Sequence, residues 1–171
     1  MTDKKVIYAA VAIAVVAVAA IGVFLLLDSN KETPVGTFAE YDVSGSYGAT
    51  TFDGTVKITI VSETSKKYKI ETVYNVYETT GGVRSPMMVM TETAWENKSA
   101  AGGQDFGVKQ GTPETLTTAW GPKTVDKYVS AVPGEPTATT YVGQTDGVPY
   151  KMVVVVDLVT LTFTLTDTNL L

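Results

Sequence analysis

Residues 6–27 read VIYAAVAIAVVAVAAIGVFLLL, a run of 22 residues without a charge. From Thr37 onward the pattern changes, and apolar residues alternate with polar ones at a period of two. The first pattern predicts a helix that is apolar all round, with no amphipathic stripe. At about 1.5 Å per residue such a helix reaches about 33 Å, and a bilayer core is about 30 Å thick. The second pattern predicts half-buried antiparallel strands.

Strands are expected over residues 37–47, with Ala39, Tyr41 and Val43 on one face, and from Phe52 through Val56, Ile58 and Ile60. A turn at 64–67 leads into Tyr68, Ile70, Tyr74 and Val76, opposed by Lys69, Glu71, Asn75 and Tyr77, and Gly81-Gly82 ends this strand. These two strands make the clearest hairpin of the chain. Residues 83–95 form a fourth strand with apolar residues on both parities: Met87, Val89 and Trp95 on one, Met88 and Met90 on the other. That pattern means either burial on both faces or an exposed apolar patch. Residues 97–111 read as a loop containing a short strand at 106–109. Strands over 113–120, 123–132, 137–142, 148–156 and 159–165 follow, separated by Gly121-Pro122, Pro133-Gly134, Asp146-Gly147 and a tight turn at Asp157. Nine or ten short strands with turn signals about every ten residues define an all-β antiparallel meander. So many strands must curl into a half-barrel or barrel, or split into a sandwich.

The flanks of the apolar run orient it. Lys4 and Lys5 precede it and Asp28, Ser29 and Asn30 follow it, which keeps the N-terminus cytoplasmic and exports the rest. A cleaved secretory signal is the other reading, with Ala17-Val18-Ala19 as its processing site. The apolar run continues eight residues past Ala19, longer than such signals need, so a single-pass anchor is preferred. The expected organisation is a cytoplasmic N-terminus over 1–5, a transmembrane helix over 6–27, a linker over 28–36 and an exported β domain over 37–171. The partner of residues 6–27 is then the lipid bilayer.

Composition narrows the chemistry. The chain has 13 Lys+Arg against 18 Asp+Glu, and no His or Cys. Setting aside Asp3, Lys4 and Lys5 leaves the exported part at net charge −6, which argues against nucleic acid and against an anionic membrane surface as partners. Without His or Cys there is no Ser-His-Asp or Cys-His nucleophile, no imidazole switch and no common zinc site. No calcium loop, dinucleotide fingerprint or P-loop occurs. Glu92 with Glu96, and Asp146 with Asp157, are the carboxylate pairs close enough in sequence to consider for hydrolysis, and solvated faces explain them as well. The chain is therefore read as a non-enzyme without cofactor or metal. Tyr68, Tyr74, Met87, Val89 and Trp95 are the candidate apolar ligand face, with cross-strand packing as the competing explanation for the tyrosines, Tyr77 included. Asn97-Lys98-Ser99 is an N-glycosylation sequon on the exported side.

Residues 114–155 contain ETLTTAWGPKTVDKYV and TATTYVGQTDGVPYKMVVV. A T-x-x-G corner enters a strand, a later strand ends in a G-x-P turn, and the next begins with a basic-apolar pair. The residues are Thr118, Gly121, Gly147, Pro149 and Lys151. This logic resembles the lipoprotein-carrier (LolA-like) half-barrel superfamily, which includes periplasmic lipoprotein-sorting proteins, and covers about a quarter of the chain. The resemblance implies a curved sheet that carries a lipid. The helix that plugs such half-barrels has no counterpart in the sequence pattern. The layout of two lysines, an Ala/Val-rich anchor and a Thr-rich β domain also resembles uncharacterised archaeal membrane-anchored surface proteins. Together these readings give a cell-surface domain that binds an apolar ligand, a lipid or an envelope protein. A pilin-like structural subunit is the alternative, although Lys5 meets Val6 without the small residue that pilin processing uses.

Overall fold

The computed structural model describes Tyr8, Val11, Ala12 and residues 33–98, 106–131 and 136–171. Nine strands follow one another: β1 (Phe38–Tyr47), β2 (Thr50–Glu63), β3 (Lys67–Thr80), β4 (Val83–Asn97), β5 (Val108–Thr118), β6 (Gly121–Ser130), β7 (Thr137–Gly143), β8 (Pro149–Val156) and β9 (Val159–Thr168). They form one antiparallel sheet in the order β4-β3-β2-β1-β9-β8-β7-β6-β5. Two meanders, β1–β4 and β5–β9, are thus joined where the first strand pairs with the last, from Ala39↔Thr168 to Ser46↔Thr160.

The predicted hairpin is β2–β3, closed by the Thr64 N–H donating to the Lys67 carbonyl at 2.7 Å. The tight turn at Asp157 is also present. Val156 pairs with Val159, and Asp157 takes a left-handed φ of 52°. Residues 108–118, expected to be interrupted, form one strand, because the register jumps from Gln110 to Glu114 and leaves Gly111 and Pro113 in a bulge. An outermost strand tolerates this, since half of its backbone groups face solvent. The other edge, β4, carries Pro86 and its own register shift opposite Val76/Tyr77. Proline and a bulge on each edge strand discourage further strand pairing.

One face of the sheet is apolar. Alternation places Ala39, Tyr41 and Val43 of β1, Val56, Ile58 and Ile60 of β2, and Ile70, Tyr74 and Val76 of β3 in a single buried cluster with Met152, Val154, Leu161, Phe163 and Leu165. The opposite face is threonine-rich and carries cross-strand ion pairs such as Lys57–Glu40 at 3.1 Å, both part-exposed and each worth well under ~1 kcal/mol.

The sheet is curved and not closed. Its two edges are consecutive in sequence, and the odd strand number makes β4 and β5 run parallel. In a flat sheet the edges would stand ~38 Å apart, with Val108 ~33 Å up the strand direction from Asn97, a diagonal of ~50 Å. The Lys98 N–H is tied to the Lys66 carbonyl at 2.9 Å, and Gly107 lies on the Val129 carbonyl more closely than a Cβ would permit. The chain between those two points can reach at most ~32 Å. Only a curled sheet brings the edges within that reach. Two glycines on the apolar face permit the bend. A Cβ on Gly45 would meet the Thr160 carbonyl at 2.4 Å, and one on Gly54 the Asn75 carbonyl at 1.9 Å. Missing side chains at such points let neighbouring backbones close up on the concave side.

Candidate ligand face

The concave face is lined in depth by Tyr41, Ile58, Phe163 and Met152, each essentially inaccessible to solvent. Tyr41 is the polar exception at the bottom. Its hydroxyl donates to the Pro149 carbonyl at 3.3 Å, and burial pushes its phenol well above the ordinary tyrosine range. Tyr74, further out, is pushed up first by burial and then by the Glu92 carboxylate across the strand.

The register divides the five residues expected to share one face. Tyr68 and Tyr74 belong to the concave face, and both are buried. Val89 pairs with Asn75 and Trp95 with Lys69, so both lie on the convex face, where they are 53% and 47% exposed. Met87 is partly buried against the concave core together with Met88, because the β4 bulge turns one extra residue inward. The sequence-derived set is therefore two surfaces. The concave one carries Tyr68, Tyr74, Met87 and Met88, and the convex one carries an exposed apolar row on the outermost strand. Tyr77 also faces outward, with the Arg84 guanidinium 3.9 Å above its ring. Asn97 is the exposed last residue of β4.

The carboxylate pairs do not converge. Glu92 and Glu96 sit four residues apart along β4, ~13 Å in a strand, wider than the roughly 5–10 Å that glycoside hydrolysis uses. Asp146 precedes β8 and Asp157 follows it, at opposite ends of the sheet. Among the described residues no three His, Cys, Asp or Glu side chains group as metal ligands.

Asp146 instead organises a polar corner that the alternation pattern did not single out. Its carboxylate accepts from the Tyr150 hydroxyl at 2.6 Å, the Val148 N–H at 3.1 Å and the Lys123 ammonium at 3.4 Å. Burial alone would raise its carboxyl, and these three donors outweigh that and hold it below the usual carboxylate range. Gly143 makes room, since a Cβ there would meet Asp146 Oδ1 at 2.1 Å. The neighbouring Thr118 to Gly121 corner is fixed by the Thr118 hydroxyl, which donates to the Gly121 carbonyl at 2.7 Å and accepts from the Trp120 N–H at 3.1 Å. The five residues that carried the half-barrel resemblance are thus turn and strand-start positions around one end of β6 and β8. A phenol held protonated beside a lysine and a carboxylate makes a structural latch, because neither the phenol nor the ammonium is poised to lose its proton near neutrality.

The N-terminal run touches this face. Tyr8, Val11 and Ala12 are helical, Val11 is fully buried within the concave cluster, and the Tyr8 hydroxyl donates to Glu78 Oε1 at 2.8 Å. The rest of residues 6–27, and with it the expected membrane span, lies outside the described residues. Among the described residues no helix is long and apolar enough to cross a membrane.

No protein-family model and no curated protein matches the chain. Among solved structures, the lipoprotein LppX of Mycobacterium tuberculosis is similar at 13% identity, covering 90% of this chain and 96% of that one, with a TM-score of 0.43. A hypothetical protein from Chlamydia trachomatis is similar at 11% identity, covering 85% and 92%, with a TM-score of 0.37. Both likenesses are too slight to transfer a ligand or an activity.

Proposed function

We propose that this chain is a single-pass membrane protein of the cell surface, whose exported β domain holds an apolar molecule, a lipid or an apolar part of an envelope partner, in the trough of its sheet. The observation that carries this reading is the one-sided core. Among the described residues, nine strands in a single open sheet bury their apolar face with no second sheet against it, and β4 and β5 do not pair to close the trough. An apolar trough with a nearly dry floor suits a ligand that is recognised by area rather than by hydrogen bonds. The absence of His and Cys and the scattered carboxylates favour binding over catalysis. The uncharged run at 6–27, flanked by Lys4 and Lys5, favours tethering to a bilayer with the β domain outside.

A structural role as a surface subunit is the second reading. It is favoured by the exposed convex row of β4, where Val89 and Trp95 stand clear of the core. Native mass spectrometry of the full-length protein extracted from its own membrane separates the two. Retention of a lipid-sized adduct together with an intact N-terminus is the expected result. Adduct-free higher oligomers would overturn the ligand reading in favour of the structural one.

A further inference from the structure

We infer that the end of the sheet at the β2–β3 turn is a membrane-docking shoulder: Lys66, Lys67 and Lys69, with Val61 and Trp95 beside them, seat on the anionic headgroups of the bilayer that anchors the chain. This rests on the anchoring proposed above. The place where the chain enters the domain supports it. The Thr33 N–H donates to the Tyr68 hydroxyl at 3.4 Å and the Gly36 N–H to the Ile60 carbonyl at 2.7 Å, so the entry lies where β2 ends and β3 begins. From Leu27, the last residue of the apolar run, to Thr33 a chain reaches at most ~21 Å. An anchor that ends at the outer surface therefore holds this end of the sheet near the headgroups, and the turn at Asp157 stands at the opposite end.

The side chains at this end suit an anionic bilayer surface. Lys69 is directly opposite Trp95 and Lys67 opposite Asn97, two rows of the convex face spaced ~7 Å along the strand. The headgroup layer on one side of a bilayer is about as deep. Val61 sits in the β2 bulge on the other side of Lys69, and both Val61 and Trp95 are exposed. Lys66 is exposed in the turn itself. Among the described residues none of these three lysines is in an ion pair, whereas Lys57, Arg84, Lys98, Lys109 and Lys123 each are. Of the carboxylates on β2, β3 and β4 at this end, Glu63 is taken by Lys98 at 2.6 Å, Glu96 faces the concave side opposite Tyr68, and Glu71 lies two residues further from the turn than Lys69. Tryptophan and lysine together are what the interface of a bilayer favours. The net charge of −6 does not oppose the docking, because charges more than ~8 Å apart are largely screened at physiological salt and the headgroups meet the local patch.

Ser65 is exposed in the same turn and Leu158 in the turn at the opposite end. The chain has no cysteine, so a fluorophore on full-length Ser65→Cys or Leu158→Cys is the sole label. Each protein is reconstituted in nanodiscs of equimolar phosphatidylcholine and phosphatidylglycerol, with a nitroxide quencher on some choline headgroups. Strong quenching at position 65 and little at 158 is expected. Lys66→Gln, Lys67→Gln and Lys69→Gln together are expected to weaken the docking on the order of a hundredfold, at about fivefold per lysine, and to relieve the quenching. Discs of phosphatidylcholine alone are expected to relieve it in the parent sequence, which keeps the test independent of how the triple variant folds. Quenching that survives both changes, or is equal at the two positions, overturns the docking while the anchor stands. Protein that elutes free of the discs, as it would with Val11 kept in the core of the sheet, overturns the anchor and the docking with it. Asn97 lies inside the patch, so its sequon is expected to be unmodified in protein from its own membrane, and an intact mass carrying a glycan there overturns the docking.

Discussion

The Tyr41 hydroxyl, on β1, reaches across β9 to the carbonyl of Pro149 at the start of β8, a bond between residues 108 positions apart. It is the polar tie on the floor of the trough, and it ties the two meanders together. Tyr41→Phe leaves a buried carbonyl short of a donor and removes no packing. A loss of about 1–2 kcal/mol is expected, seen as a lower urea midpoint at unchanged slope. An unchanged midpoint would mean that the hydroxyl contributes nothing to the closure.

The same phenol contributes to the loss of stability at alkaline pH. Burial raises its folded pKa above the unfolded value. Below about pH 10 both states keep the proton, and stability is independent of it. Above that, the unfolded chain releases a proton that the folded chain holds, so stability falls as pH rises, by up to ~1.4 kcal/mol per unit for this group. In urea titrations from pH 9 to 12, Tyr41→Phe is expected to have the shallower decline. Tyr74 and Tyr150, also raised, retain their share in both proteins.

Asp146 governs the acid side. Its folded pKa is depressed, so its contribution is present above the unfolded value near 4 and is lost as pH falls through the folded one. Asp146→Asn keeps the size but weakens three charge-assisted bonds, and an expected loss of about 1–3 kcal/mol at pH 7 follows. The variant and the parent should converge in stability toward pH 2. A constant gap at all pH values would contradict the latch.

Gly54 tests the curl. Its φ of 154° and its contact with the Asn75 carbonyl leave no place for a Cβ. Gly54→Ala is expected to cost more than ~2 kcal/mol and to lower soluble yield. Gly48→Asn, in an open turn at φ 57°, is the matched control and should change stability by less than ~0.5 kcal/mol.

The convex row makes the opposite prediction. Trp95→Lys removes exposed apolar area without touching the core, so its thermal midpoint should stay within about 2 °C of the parent. Light scattering should show reduced self-association, because the substitution removes exposed apolar area from the convex face.

Much of the sheet is legible from alternation alone. Ala39, Tyr41 and Val43 share a face as their spacing requires, and the 64–67 turn makes the β2–β3 hairpin. Long-range placement is what the pattern does not contain. Nothing local pairs β1 with β9, and the bulge that sends Met87 inward while Val89 and Trp95 stay outside depends on one extra residue in the register. Gly111 reads as the end of a loop and Pro113 as the start of a new strand because strand breakers carry no label saying that one edge strand runs through them. The Asp146 corner escaped because its partners are brought together by turns rather than by periodicity. Residues 6–27 show the same limit from the other side, since uniform apolarity says that water is excluded without saying by what.

The pairing of the first strand with the last has a bearing on how the domain comes into being. Each neighbour pair except β1·β9, and the edges that stay unpaired, forms from adjacent hairpins, so both meanders can assemble locally and quickly. The seam between them waits for residues 160–168, which are made well after β1. During vectorial synthesis β1 therefore spends most of that time with one open edge and half of an apolar face.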